Sequence, residues 1–268
     1  MPTAHVNGLD IYYEQAGSGP PLLFISGTGG DLRNKPNQFD GPFPKAFDMV
    51  SYDQRGLGRS DKPDLAYTMA DYADDAAALM GALGLEKAHV IGVSFGGMVA
   101  QELVLRHPGR VDRLVLACTS PGGAGGASFP FHEIEHLKGE ARAKHLMPIS
   151  DTRRDAAWAG ANPELYAQFV AMGASDPFEG EPGREMGARR QLEARAHHDT
   201  WDRLDQITAP TLIAAGRYDG IALPATQENL ASRIRGSTLR FFEGGHLFMI
   251  QDRTATAAMI AFLKGEPI

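Results

Sequence analysis

The feature that most constrains this chain is a rhythm of short runs apolar on both faces, at 22–25, 88–93, 113–118 and 211–216, separated by longer amphipathic stretches. A strand with no polar face is buried on both sides. That is the signature of a parallel sheet, whose crossover helices cover it above and below. The rhythm therefore predicts an α/β fold with a mostly parallel central sheet flanked by helices. Weaker strand patterns lie at 9–14, 47–52 and 238–242. Helical spacing runs over 69–83, where Ala73, Ala76, Ala77, Met80 and Leu83 share a face, and over 97–106, stopped by His107-Pro108-Gly109. A last helix is expected over 255–263. The alternation breaks at the glycine-rich 121–126, and from there to about residue 204 the sequence is polar, helix-permissive and without an obvious strand. The expected organisation is one core, 1–123 and 205–268, interrupted by a helical insertion over 124–204.

Charge and cysteine content narrow the function classes. Lys+Arg 26 against Asp+Glu 33 leaves a net charge of −7, which disfavours a nucleic-acid partner. Cys118 is alone, so no internal disulfide points to an oxidising compartment. No run approaches the ~18 apolar residues of a membrane span, and Met1-Pro2-Thr3 does not open a signal peptide. The expectation is a cytoplasmic protein with a small-molecule substrate, away from the membrane, with its oligomeric state open.

Gly92-Val93-Ser94-Phe95-Gly96 fits G-x-S-x-G and lies where a strand should give way to a helix. A turn that tight strains the serine backbone and lifts its hydroxyl above the carboxyl end of the sheet, while the flanking glycines let strand and helix approach. Ser94 is the candidate nucleophile. A serine hydroxyl needs a base to become reactive. Asp219, in Arg217-Tyr218-Asp219-Gly220, and His246, in Gly244-Gly245-His246, each follow a strand segment, in the order Ser, acid, His. His246 would take the Ser94 proton, and Asp219 would fix its tautomer. Two amide donors are then needed for the tetrahedral oxyanion. Phe95, the residue after the nucleophile, should supply one, and Thr28 of Ser26-Gly27-Thr28-Gly29-Gly30 the other. Neither phosphate-loop glycine pattern follows a strand.

With these pieces in place, the chain resembles the α/β-hydrolase superfamily over nearly its whole length, with 124–204 standing where that family inserts its cap. Residues 51–61, containing Asp53, Arg55, Gly56, Gly58 and Ser60, are similar to the family's D-x-R-G-x-G-x-S loop, which is structural there. Within the family the look is that of small esterases and 3-oxoadipate enol-lactonase-like proteins, through Gly29, Asp31-Leu32 and Gly96-Gly97-Met98. Ser26-Gly27 replaces the His-Gly of many members, and enol-lactonases also lack that histidine. Ser94 stands where epoxide- and halide-processing members use aspartate. The resemblance implies a serine hydrolase acting on a carboxylic ester or lactone through an acyl-enzyme, with no metal or organic cofactor. C–C bond hydrolysis and perhydrolysis would use the same three residues, and a non-catalytic small-molecule receptor is the alternative from another class.

Other motifs carry less. His132-Glu133-Ile134-Glu135-His136 matches H-E-x-x-H, but Arg142 stands where an extended zinc motif would place its third ligand, and a permanent cation cannot bind zinc. His197-His198-Asp199 is expected to be solvated or to anchor a hinge. Met98, Phe129, Trp158, Phe248 and Met249 are the candidates for an apolar substrate pocket, with core packing the alternative for each, as it is for Phe169. Arg153, Arg154, Arg189 and Arg190 are expected on solvated faces of the insertion.

Overall fold

A computed structural model describes residues 2–268 of the chain. Eight strands form one sheet: β1 (Thr3–Val6), β2 (Leu9–Gly17), β3 (Pro21–Ile25), β4 (Asp48–Tyr52), β5 (Ala88–Val93), β6 (Val111–Ala117), β7 (Thr211–Gly216) and β8 (Thr238–Phe242). Their order is β1-β2-β4-β3-β5-β6-β7-β8. β1 and β2 pair antiparallel, as do β2 and β4, and every pairing from β4 to β8 is parallel. The order reverses between β3 and β5, so their carboxyl ends open a crevice, the usual place for a site in such a sheet.

Alternation along the strands divides the core in two. Leu23, Ile25 and Val90 face one layer, with α1 (Met69–Ala82) and α2 (Phe95–Arg106). Leu22, Phe24 and Ile91 face the other, which holds Phe248 and the apolar stripe of α9 (Arg253–Lys264). Helix α1 starts at Thr68, whose Oγ1 accepts from the Asp71 N–H at 3.1 Å while the Asp71 carboxylate accepts from the Thr68 N–H at 2.8 Å. It ends through left-handed Gly84, with the Leu85 N–H returning to the Met80 carbonyl at 2.8 Å. The sequence pattern missed β1 and α7 (Pro224–Arg233). Four residues are too few to show periodicity, and α7 buries only Thr226, Gln227 and Leu230.

Between β6 and β7 the chain adds no strand to the sheet. It forms α3 (Gly139–Ser150), α4 (Ala156–Ala161), α5 (Pro163–Ala174) and α6 (Arg184–Ala196), with short 3₁₀ turns. Departure and return are adjacent: Gly122 and Asp199 form an antiparallel bridge, and the Thr200 N–H donates to the Pro121 carbonyl at 2.8 Å. Thr200 Oγ1 then bonds Gln101 Oε1 at 2.6 Å, and Arg203 pairs with Glu102, both on α2.

Candidate active site

Ser94 sits in the turn between β5 and α2 with φ 54° and ψ −115°. This is backbone that a residue with a side chain adopts only when its surroundings impose it. They do so through two bonds, the Ser94 N–H to the Ala117 carbonyl at 2.8 Å and Thr119 Oγ1 to the Ser94 carbonyl at 2.8 Å. The flanking glycines are needed for space: a Cβ on Gly92 would strike the Gly96 carbonyl, and one on Gly96 the Ile25 carbonyl.

His246 joins Ser94 to Asp219. Its Nε2 lies 2.9 Å from Ser94 Oγ and its Nδ1 2.8 Å from Asp219 Oδ2. A carboxylate only accepts, so Nδ1 carries the ring hydrogen and Nε2 is free to accept from the Ser94 hydroxyl. Asp219 is 1% exposed, and its Oδ1 accepts from the N–H groups of Ile221 and Ala222 at 2.8 and 2.9 Å. The end of α3 braces both loops. The His246 N–H donates to the Ser150 carbonyl at 2.6 Å, and the Gly220 N–H to the Ile149 carbonyl at 2.9 Å. Buried Cys118 has its Sγ within 4.8 Å of ligand atoms of Asp219 and His246. Burial, then the Asp219 charge, pushes its thiol well above the ordinary range. It therefore stays protonated at neutral pH.

The loop after β3 crosses over Ser94 so closely that a Cβ on Gly27 would lie 3.4 Å from the Ser94 Cβ. Among the described residues, no hydrogen bond engages the N–H of Thr28 or of Phe95. Arg195, which reaches this loop, lines a small cleft with Met98, Ser120, Ser128, Phe129 and His198, and neither Ser94 nor His246 is part of its lining. Arg195 donates to Thr28 Oγ1 and Ser128 Oγ, both at 2.8 Å, and its guanidinium lies 4.7 Å from the centre of the Phe131 ring. Sequence reasoning did not single it out. In Arg189-Arg190-Gln191-Leu192-Glu193-Ala194-Arg195 it reads as one more charge on a solvated helix.

The apolar candidates separate. Met98 and Phe129 line the cleft. Phe248 does not: it is fully buried in the core and stacked on Phe242, ring centres 5.4 Å apart, and half-buried Met249 packs on the same cluster. Trp158 stacks on Phe169 at 6.2 Å, and both pack against Ala143, Met147 and Val170, so it fastens α4 to α3 and α5. His132 and His136 do not share a helical face, since only Phe131–Ile134 coils there, as a 3₁₀ turn. His198 is not solvated. It is buried beside the Gly122–Asp199 bridge, and desolvation lowers its pKa to about 3. Arg153, Arg189 and Arg190 are engaged by Asp151, Glu193 and Asp64, and Arg154 covers the Phe169 ring at 4.2 Å.

Comparison with known proteins agrees with the fold. The family described as the alpha/beta hydrolase fold matches residues 20–252. A putative carbamate hydrolase, RutD, of Variovorax paradoxus is 31% identical over 91% of this chain and 92% of its own length. A poly(3-hydroxyalkanoate) depolymerase of Ectopseudomonas oleovorans is 30% identical over 92% of this chain and 85% of its own. The crystal structure of the enol-lactonase from Burkholderia xenovorans superposes with a TM-score of 0.80 at 25% identity, covering 99% of this chain and 100% of that one.

Proposed function

The chain belongs to the alpha/beta hydrolase family, and on that premise we propose that it is a serine hydrolase cleaving a carboxylic ester or lactone through an acyl-enzyme. The observation that carries this reading is the unbroken hydrogen-bond chain Asp219–His246–Ser94. Ser94 Oγ attacks the substrate carbonyl as its proton passes to His246 Nε2. The tetrahedral oxyanion is met by the N–H groups of Phe95 and Thr28, each such donor being worth about 2.7–4 kcal/mol. Collapse breaks the bond to the alcohol, which leaves with the proton from Nε2. Water then gives a proton to Nε2, attacks the acyl group and releases the acid, and Ser94 Oγ recovers its hydrogen. With a lactone the leaving alcohol stays tethered to the acid. Asp219 steadies the imidazolium and holds the ring in register throughout.

On this reading the 124–204 insertion is the cap, and its Phe129 and Arg195 line the cleft together with Met98. It excludes water and sets which acyl chain fits. The likeness to carbamate hydrolases favours a second acyl class, since a carbamate carbonyl is open to the same attack.

A panel of p-nitrophenyl esters of rising chain length, assayed beside small lactones and carbamates, tests the proposal. Ser94→Ala should lower kcat on every cleaved substrate by at least about 10⁴-fold while the protein still unfolds cooperatively. A variant that keeps turnover within about tenfold of the parent would remove Ser94 from the mechanism.

A further inference from the structure

Helix α6 runs beside the loop that carries Thr28 and grips it at successive points. Arg184, at its start, reaches Asp31 Oδ2 at 3.1 Å. Fully buried Gln191 accepts the Gly29 N–H on its Oε1 at 2.8 Å. Arg195, one turn further on the same face, donates to Thr28 Oγ1 at 2.8 Å. The helix backbone comes close enough at Gly187 that a Cβ there would strike the Gly56 carbonyl.

The charge on Arg195 is unusual for where it lies. Arg55 is equally buried, 6% exposed like Arg195, and is matched by two bonds to the Asp75 carboxylate. Among the described residues Arg195 has no carboxylate within ion-pair distance, and its partners are two neutral hydroxyls and a ring. Desolvation lowers its pKa to about 10, so it stays cationic at neutral pH. A buried cation without a counter-charge is costly. The buried Asp219 carboxylate acts on it through space only, with no ion pair between the two.

We propose that Gln191 and Arg195 are positioning residues of the oxyanion hole, through which α6 holds the Thr28-Gly29 peptide toward the attacked carbonyl. The inference rests on the Ser94 reading and makes the cap part of the chemistry as well as of the pocket.

The test uses the full chain with Arg195→Met, Arg195→Lys, Gln191→Met, Thr28→Val and the Arg195→Met/Thr28→Val double variant. Kinetics are measured on p-nitrophenyl butyrate and on mono-p-nitrophenyl glutarate, a counterpart of similar length bearing a carboxylate. Phenylboronic acid serves as the tetrahedral analogue, and amide hydrogen exchange of the 26–30 segment is followed by mass spectrometry. Arg195→Met and Gln191→Met should each lower kcat about 10–100-fold on both esters with KM within about threefold, and weaken the boronate in step. Arg195→Lys should recover part of the loss. The double variant should be no worse than its weaker parent, because Arg195 acts through Thr28. Exchange at 26–30 should quicken in the Arg195 and Gln191 variants. A rise in KM confined to the glutarate ester would overturn the proposal, since the cation would then be holding a substrate carboxylate. Multiplicative losses in the double variant, or unchanged exchange, would also overturn it. Should the parent protein cleave neither these esters nor any ester, lactone or carbamate of the panel above, the Ser94 reading fails, and the exchange data alone decide whether α6 holds the loop.

Discussion

Asp219 divides its two oxygens between two tasks. One is fixed by two backbone N–H groups, and the other faces His246 Nδ1. Asp219→Asn can keep the first pair of bonds, but it then turns an NH₂ group toward Nδ1 and forces the ring into the wrong tautomer. On the proposed mechanism kcat should fall about 10⁴-fold with little change in Tm, measured by ester hydrolysis and thermal unfolding side by side. The sequence singled out Ser94, Asp219 and His246 because each follows a strand and has glycine within two residues, and those signals are local. Arg195 was invisible because burial of a charge depends on what packs against the helix from elsewhere. Phe248 misled for a related reason: adjacency to His246 does not tell which side of a short turn faces the core.

At the scale of elements, the βα turn at Ser94 is a tightly fitted join. Gly96→Ala would drive a methyl into the Ile25 carbonyl of the neighbouring strand. Backbone there cannot yield without moving the loop that carries Thr28. The variant should lose about 1–3 kcal/mol or more of stability in urea titration, and lose activity beyond its loss of folded protein. A second join is set by Arg55, from the loop after β4, which enters α1 and meets Asp75 at 2.6 Å. Asp75→Ala leaves the buried guanidinium only Asp71, at 3.7 Å, and should cost about 3–5 kcal/mol, read from the same titration. The strands were legible because apolar runs at fixed spacing do not depend on distant partners. The helices of the insertion were legible only as helix-permissive sequence, because small clusters such as Ala143, Met147 and Val170 leave a weak pattern.

For the whole molecule, two buried groups give the pH dependence of stability opposite signs. Desolvation lowers the pKa of His198 from 6.5 to about 3, so the unfolded chain takes up its proton first on acidification. Its contribution is complete above pH 6.5 and is lost as pH falls toward 3, at about 1.4 kcal/mol per pH unit. Desolvation raises the pKa of Asp53 from 3.8 to about 6, so its contribution is complete below pH 3.8 and is lost as pH rises toward 6. Between about pH 4 and 6 the two oppose each other. His198→Gln removes one side of that balance. The drop in unfolding free energy between pH 7 and pH 5 should be smaller in the variant by about 2 kcal/mol, measured by urea unfolding at both pH values. An equal drop in both proteins would mean that His198 is protonated in the folded state.

The bridge between Gly122 and Asp199 has an evolutionary consequence. A cassette whose two ends meet at a single doorway can be exchanged wholesale, lengthened or shortened, without rethreading the scaffold beneath it. Its freedom is bounded by α6, because a replacement must still bring an amide and a guanidinium to the β3 loop. Variation among relatives should therefore gather in the stretches corresponding to α4 and α5, from which, among the described residues, no hydrogen bond or ion pair reaches that loop.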